Sequence, residues 1–212
     1  VLKSGRSNIG RRAAMTHTGS IAGDDKIYAA VFKELGIVAV DSLEELLDTF
    51  KTLGFQKRQK PGVGIITNGG GFGVLSVDLA EENKTKIAKL DEETIKKLKE
   101  LRKKNINIEK NPLDIVGDAL ADRYELATKA LIGQKNIHTL LIIMGMQIMT
   151  EPEKTAKILV EIHKKNKDKS IICCLVGGKS FKKAIDILEK NKIPCFDGPK
   201  KAAKVLKYLT YE

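Results

Sequence analysis

The sequence is short of the residues on which several protein classes depend. It has no tryptophan, 5% aromatic residues and three cysteines among 212 residues. Without aromatic side chains beside its basic ones it offers no platform on which nucleic-acid bases could stack, so a nucleic-acid partner is not expected despite a net charge of +11. No apolar run reaches the length of a membrane-spanning helix, and no signal peptide is recognisable. These absences predict a cytoplasmic protein without a membrane partner.

The positive charge is carried mainly by lysines that alternate with glutamates, as in EETIKKLKELRKKN. This pattern is typical of solvated helix faces, and it favours a small anionic partner over a nucleic acid. Abundant lysine and glutamate with few aromatics are also typical of heat-adapted proteins. Cys173, Cys174 and Cys195 lie in apolar runs, with no CxxC spacing and no histidine nearby, so they are predicted to be reduced core residues and no metal site is expected.

Strand-like and helix-like segments alternate along almost the whole chain, which predicts an α/β fold with doubly wound, mostly parallel sheets. The polar stretch FQKRQKPG predicts a domain boundary near residue 59. Residues 60–212 then form a flavodoxin-like domain with four or five strands, in which INIEKNPLDIVGDA is an irregular segment and LDEETIKKLKELRKKN one helix. Residues 1–59 begin at VLKSG without an initiator methionine, and they are interpreted as a similar domain truncated at its N-terminus.

The loop TNGGGFG follows the apolar strand VGIIT and precedes a helix predicted to begin at Val74. Such loops lie where doubly wound sheets bind ligands. Because Gly69, Gly70 and Gly71 lack Cβ atoms, their N–H groups could approach an anion at a helix N-terminus. The spacing matches neither the dinucleotide fingerprint nor a P-loop. The alternative is a tight turn that needs glycine for a positive φ angle.

His17 lies in MTHTGSIAGDD, which is predicted to be a glycine-rich loop between the strand VLKSG and a helix. A histidine there could be a general base, a metal ligand or a nucleophile that carries a phosphoryl group. Metal binding would need partner ligands, and none is close in sequence. His138 and His163 have ordinary explanations, as a strand-edge residue and as a surface residue on a lysine-rich helix.

Taken together, KSGRSNIGRRAAMTHTGSIAGDDKIYAAVFKELGIVAVDSLEEL, GIITNGGGFGVLSVDLAEE, NPLDIVGDALADRYELATKAL and KIPCFDGPKKAAKVLKYL closely resemble the nucleoside-diphosphate-forming acyl-CoA synthetases. These include the ADP-forming acetyl-CoA synthetases of archaea and are relatives of succinyl-CoA synthetase. The resemblance covers essentially the whole chain, with several motifs in the family's order.

The resemblance implies a ligase with a phosphohistidine relay. In the family, acyl-CoA and phosphate give an acyl phosphate and CoA, a histidine takes the phosphoryl group, and a swinging loop carries it to ADP. His17 matches the phosphorylated histidine. The segment from Asn68 to Gly71 matches a helix N-terminus that holds the phosphohistidine, and the helix after HTGSIAG matches part of the other such region. Gly19 and Ser20, beside His17, are expected to help to bind the phosphate. Asn111, Asp114 and Asp118 are family-like, but the residues themselves support only a structural role for them, with Gly117 permitting a bend.

The resemblance also implies partners that this sequence does not contain. In the family a CoA-binding domain precedes this region, an ATP-grasp domain or subunit binds the nucleotide with Mg²⁺, and an acidic residue that steadies the histidine lies upstream. CoA and ADP or ATP would therefore bind mainly outside these residues, the enzyme would be an oligomer, and the chain alone is expected to be inactive.

Two other functions fit parts of the sequence. Some protein lysine acetyltransferases contain a related synthetase-like regulatory region, in which the histidine is often lost; the intact HTGS motif around His17 favours the enzyme. A flavodoxin-like FMN binder is the third possibility, but the loops lack the aromatic residues that would enclose a flavin.

Overall fold

The computed structural model describes residues 1–19, 23–102 and 106–210 of the chain. The chain divides into two compact units, Val1–Phe50 and Lys51–Glu212. The predicted domain boundary near residue 59 remains a prediction.

The first unit is helical in the part that the structure describes. It contains α1 (Asn8–Thr18) and α2 (Asp25–Glu34), while α3 (Leu43–Phe55) begins in this unit and ends in the second. Ser42 begins α3 by accepting a hydrogen bond from the Glu45 N–H at 3.1 Å, and the Glu45 carboxylate accepts one from the Asp41 N–H at 2.8 Å. The two strands predicted in this unit are reduced to one parallel bridge, between Leu2 and Val40.

The second unit is built on a five-stranded, fully parallel sheet with the order β2-β1-β3-β4-β5. The strands are β1 (Val63–Thr67), β2 (Leu113–Asp114), β3 (Thr139–Gly145), β4 (Ser170–Val176) and β5 (Cys195–Phe196). The helices between and after them are α4 (Gly70–Glu82), α5 (Glu92–Lys97), α6 (Lys99–Arg102), α7 (Ala121–Ile132), α8 (Pro152–Lys165), α9 (Lys182–Lys190) and α10 (Pro199–Leu209), with a 3₁₀ turn at Gly178–Phe181. This is the strand order of flavodoxin-like folds, so the predicted fold class is confirmed.

The sheet separates two apolar layers, because successive side chains of a strand point to opposite faces. Ile142 and Cys173 pack with residues of α7, α8 and α9, whereas Ile143 and Cys174 pack with residues of α10. Strands covered on both faces are fully apolar, which explains why the sequence shows them as continuous runs rather than alternating patterns. The three cysteines are free and buried, as predicted.

Four local predictions for the second unit are wrong. The segment INIEKNPLDIVGDA contains the edge strand β2, which has only two residues and no periodicity to reveal it. The LDEET helix is divided into α5 and α6 at Leu98. The glycines predicted as a loop form the first turn of α4. His163 is buried, since it continues the apolar stripe of α8 that includes Ala156 and Leu159.

Candidate functional site

The carboxyl end of β1 leads directly into a helix N-terminus. All five residues of β1 are buried. Gly69 is the N-cap of α4 with φ −146°, and its N–H donates to Thr67 Oγ1 at 3.0 Å. The helix therefore begins immediately beyond the sheet edge, where parallel α/β folds bind their ligands.

The N–H groups of Gly70 and Gly71 have no acceptor among the residues that the structure describes, whereas those of Phe72 and Gly73 bond to the Gly69 carbonyl at 3.0 and 3.2 Å. Unpaired N–H groups at the start of a 13-residue helix carry the positive end of its dipole. This arrangement can hold an anion without any side chain.

The glycines are not needed here for a positive φ angle. None of Gly69, Gly70 and Gly71 belongs to the residues with positive φ, so that alternative explanation is wrong. A Cβ on Gly70 would lie 2.7 Å from the Asp114 carboxylate, but a Cβ on Gly71 would meet nothing within 4 Å. The closeness of Asp114 explains why residue 70 is a glycine. At Gly71 the lack of a side chain leaves open space beside the first turn of α4.

Asn68 joins the connection between β1 and α4 to the end of β3, the neighbouring strand. Its Nδ2 donates to the Gly145 carbonyl at 2.8 Å, and its Oδ1 accepts from the Gly145 N–H at 2.7 Å. The side chain is 2% exposed. Both polar atoms of its amide are thus engaged with backbone, an arrangement that fixes the loop rather than presenting the amide to solvent.

The loop after β2 brings a carboxylate to the same edge. Asp114 Oδ1 accepts from the Val116 N–H at 2.9 Å, in the turn that follows the strand. Val116 has φ 68°, a conformation that β-branched residues adopt only under strain. The predicted bend at Gly117 is confirmed, because Gly117 lies in the turn closed by the hydrogen bond from the Ala119 N–H to the Val116 carbonyl at 3.1 Å.

Arg123, which the sequence analysis did not identify, holds this loop from α7. Arg123 is 7% exposed, and its guanidinium donates to the Ile115 carbonyl at 2.8 Å and pairs with Asp118 at 2.5 Å. A buried arginine in an amphipathic helix gives no sequence signal that separates it from a surface arginine. Asn111 has the structural role expected of it: its side chain bonds the carbonyls of Val63 and Ala88 and the Ile65 N–H.

His17 lies in the first unit, in the last turn of α1, and its side chain is exposed. The prediction of a loop is wrong, because Ser7 caps a helix that runs through the arginine- and alanine-rich segment. Gly19 ends the helix with φ 67°, donating its N–H to the Met15 carbonyl at 2.9 Å. Ser20 lies outside the described residues.

The start of α2 carries a small charged network. Asp24 is the N-cap and accepts from the Lys26 N–H at 2.8 Å. Arg6 lies 3.6 Å from Asp25 and 2.5 Å from Asp41. These carboxylates raise the pKa of the arginine, and the hydrogen bond that Arg6 donates to Asp41 contributes most. Carboxylates therefore already lie at the N-terminal end of α2.

The predicted site residues belong to different units: His17 and Gly19 to the first, and Asn68 to Gly71 to the second. Within residues 1–19, 23–102 and 106–210, no group of three histidine, cysteine, aspartate or glutamate side chains could hold a metal ion. Nor is any helix in those ranges both long and apolar enough to cross a membrane.

Two protein families match the chain. The succinyl-CoA ligase like flavodoxin domain matches residues 1–53, and the Ligase-CoA domain matches residues 63–208, which is more than half of the chain. The chain belongs to the Ligase-CoA family.

Several relatives of this Ligase-CoA chain are ADP-forming ligases. It is 42% identical to the acetate–CoA ligase [ADP-forming] of Methanocaldococcus jannaschii, over 98% of this chain and 30% of that protein. It is 35% identical to acetate–CoA ligase [ADP-forming] I subunit alpha of Pyrococcus furiosus, over 99% of this chain and 45% of that subunit. The chain thus spans less than half the length of these relatives.

A solved structure extends the likeness to the fold. The dinucleotide-forming acetyl-coenzyme A synthetase 1 of Ca. Korarchaeum cryptofilum, in complex with phosphate and ADP, superimposes with a TM-score of 0.91 at 32% identity, covering 99% of this chain and 45% of that one. The Ligase-CoA chain therefore has the architecture of a segment of a longer synthetase.

Proposed function

We propose that this chain is the part of an ADP-forming acyl-CoA synthetase that carries the phosphorylated histidine, His17, and one of the helix N-termini that receive it, that of α4. The observation that carries the proposal is the pair of unpaired N–H groups of Gly70 and Gly71 at the sheet edge. Its relatives and its structural neighbour, which are ADP-forming synthetases, support the same reaction class.

The chemistry proceeds by phosphoryl transfer. Phosphate displaces CoA from the acyl-CoA thioester, so that an acyl phosphate forms and the thiol leaves. A ring nitrogen of His17 then attacks the phosphorus, and the carboxylate leaves as the free acid. The phosphohistidine gives its phosphoryl group to ADP, which restores neutral histidine and forms ATP. The chain's own contribution is the nucleophile and a fixed, positive helix end.

The position of His17 bears on how the phosphoryl group is held. His17 lies in the last turn of α1, beside the carbonyl groups that form the negative end of the helix dipole. A phosphate added there is repelled, whereas at the N–H end of α4 it is attracted. We propose that phosphorylation frays the last turn of α1, and that the resulting free segment can reach a helix N-terminus.

Asn68 acts in this proposal as a positioning residue. Because its amide is engaged with Gly145, it fixes the direction of the loop and leaves the backbone of Gly70 and Gly71 to bind the phosphate. Gly69 contributes as the N-cap, and Ser20 and Gly19 belong to the histidine segment. Asp114, beside Gly70, bounds the site on one side.

CoA, ADP or ATP, and Mg²⁺ would bind mainly to a CoA-binding domain and an ATP-grasp domain or subunit, within an oligomer. The described residues contain no cluster of three side chains that could hold a metal ion, so Mg²⁺ would be held with the nucleotide by other parts of the enzyme. The acyl group is proposed to be acetyl or a related small acid, as in the named relatives. The boundary between the two domains is proposed to lie near residue 59.

The relay is tested by incubating the full-length protein with acetyl-CoA and radiolabelled phosphate. We expect acid-labile, base-stable label on the protein, absent from His17→Ala and present in the matched variant His138→Ala. Unchanged label in His17→Ala would overturn the proposal. A wild-type protein that takes no label favours instead a regulatory synthetase-like module.

The α4 site is tested separately with Gly71→Leu, because a Cβ at this position would meet no heavy atom within 4 Å. It should lower the yield of phosphohistidine by about tenfold or more, the loss expected when binding groups for a developing anion are blocked. Gly54→Leu is the matched control, a helical glycine of α3 with equally open surroundings. Equal yields from the two variants would show that the first turn of α4 is not the phosphate site.

A further inference from the structure

The second unit has a basic cleft at the edge of the sheet opposite to α4's N-terminus. It lies where β4 begins, and because all strands are parallel this is the amino edge of the sheet. Its volume is about 310 Å³, within the range of small-molecule sites. Its lining includes one histidine, one serine and four lysines: His163, Ser170, Lys57, Lys167, Lys169 and Lys192.

The lining of the cleft is strongly positive, and Asp168, beside Lys169, offsets only part of that charge. None of the described residues that line it is acidic. Lys57 and Lys167 are exposed and have no ion pair in the described parts of the chain. Lys169 Nζ donates to the Gln134 carbonyl at 2.6 Å, and burial lowers its pKa, which indicates a poorly solvated ammonium group.

Its polar surface is also arranged by the fold. Ser170 is 1% exposed, and its Oγ donates to the Lys57 carbonyl at 3.1 Å, which ties the segment before β1 to the start of β4. Phe55 lines the cleft too, and Lys192 Nζ lies 4.8 Å from its ring centroid. The lysine stems and this ring give the cleft defined walls, unlike a group of lysines free in solvent.

His163 brings an unpaired polar atom close to the wall of the cleft. It is 6% exposed, yet its Nδ1 is buried and has no hydrogen-bond partner among the described residues. An unpaired buried polar atom is unusual in a folded protein and calls for an explanation. Burial, and then Lys167, lower the pKa of His163, so the ring is neutral near pH 7 and gains from an anion that offsets the lysines.

We propose that this cleft is a binding site for a small phosphate-bearing anion, held by Lys57 and Lys167 with His163 at its wall. The phosphate oxygens would accept from the two ammonium groups, and they would offset the positive potential that Lys167 adds at the buried imidazole. The site is separate from that of the phosphohistidine, because it lies at the opposite edge of the sheet.

The test is a titration of the chain with pyrophosphate, followed by the imidazole resonances of His163, which is one of only three histidines. We expect a saturable shift of the His163 signals and a rise in its pKa, with no such change from KCl of equal ionic strength. His163→Gln assigns the signals. Because the cleft and Gly71 lie at opposite edges of the sheet, the readout does not depend on the α4 site, and Gly71→Leu should leave it unchanged.

The matched variants are Lys57→Gln with Lys167→Gln, and Lys96→Gln with Lys200→Gln, which remove the same charge from exposed lysines outside the cleft. The first pair should weaken binding by about tenfold or more, because it removes both ammonium groups that hold the phosphate oxygens. The second pair should weaken it by less than about threefold. Equal weakening by both pairs, or a shift that KCl reproduces, overturns the proposal.

Discussion

Asn68 and Gly145 are joined by two hydrogen bonds that close a ring between a side-chain amide and a backbone peptide, with Nδ2–O and Oδ1–N distances of 2.8 and 2.7 Å. The contact joins the ends of β1 and β3, which are neighbours in the sheet. It therefore ties the direction of the Gly69–Gly71 segment to a rigid strand instead of to a mobile loop. A preformed helix end needs little reorganisation when an anion arrives.

Removal of this amide should destabilise the second unit. In Asn68→Ala both the carbonyl and the N–H of Gly145 lose a buried partner, so we expect the free energy of unfolding to fall by about 2–4 kcal/mol. Asn191→Ala is the control, since Asn191 makes one half-buried bond to the Ile187 carbonyl at 2.9 Å and should lose about 1 kcal/mol or less. Urea denaturation measures both. Equal losses would mean that solvent replaces the Asn68 amide without cost.

Alanine should distinguish the two adjacent glycines at the start of α4. Gly71→Ala adds a Cβ to open space in a helix, so it should stabilise by about 0.5 kcal/mol. Gly70→Ala places a Cβ 2.7 Å from the Asp114 carboxylate and should destabilise by about 1 kcal/mol or more. In the background Asp114→Ala the cost at Gly70 should vanish. Thermal unfolding of the four variants checks this, and an unchanged cost without Asp114 refutes the steric account.

The parts of the fold that the sequence predicted are those with a strong local signal. Buried runs such as VGIIT and SIICCLVGG correspond to β1 and β4 because a fully covered parallel strand must be apolar throughout. β2 escaped prediction because its two residues owe their strand conformation to pairing with Ile66 and Thr67, not to any preference of their own. Long-range pairing leaves no periodic pattern at the edge of a sheet.

The candidate site was predicted in its location but not in its geometry. A glycine-rich segment after a buried strand correctly indicated a helix N-terminus. Nothing in the sequence, however, shows that the Asn68 amide is hydrogen-bonded to Gly145 or that Arg123 is buried. Those facts depend on residues that are far apart in the chain. The roles of His17 and of the α4 site in phosphoryl transfer stay predictions.

Val116 should be replaceable with a gain in stability. Its φ of 68° brings the branched side chain into conflict with its own backbone, and the side chain is 44% exposed, so little apolar burial is lost. Val116→Asn should raise the free energy of unfolding by about 1 kcal/mol, because asparagine tolerates this conformation. Val74→Asn, at an exposed position of helical α4, should instead be neutral or destabilising. Urea denaturation compares the two, and a loss at Val116 would refute the strain.

Mild acid should destabilise the second unit through His163. Burial, and then Lys167, hold its pKa below the ordinary 6.5, so the folded ring stays neutral while an unfolded one protonates near pH 6.5. The unfolded state then binds more protons, and the free energy of unfolding falls as the pH drops through 6.5 towards the folded pKa.

His163→Gln should flatten this fall more than His138→Gln does. The pKa of His138 is also lowered, but its side chain is only half-buried. Urea denaturation at pH 7.5 and about pH 5.5 measures the difference. Equal slopes in the wild type and His163→Gln would exclude the buried neutral imidazole as the cause.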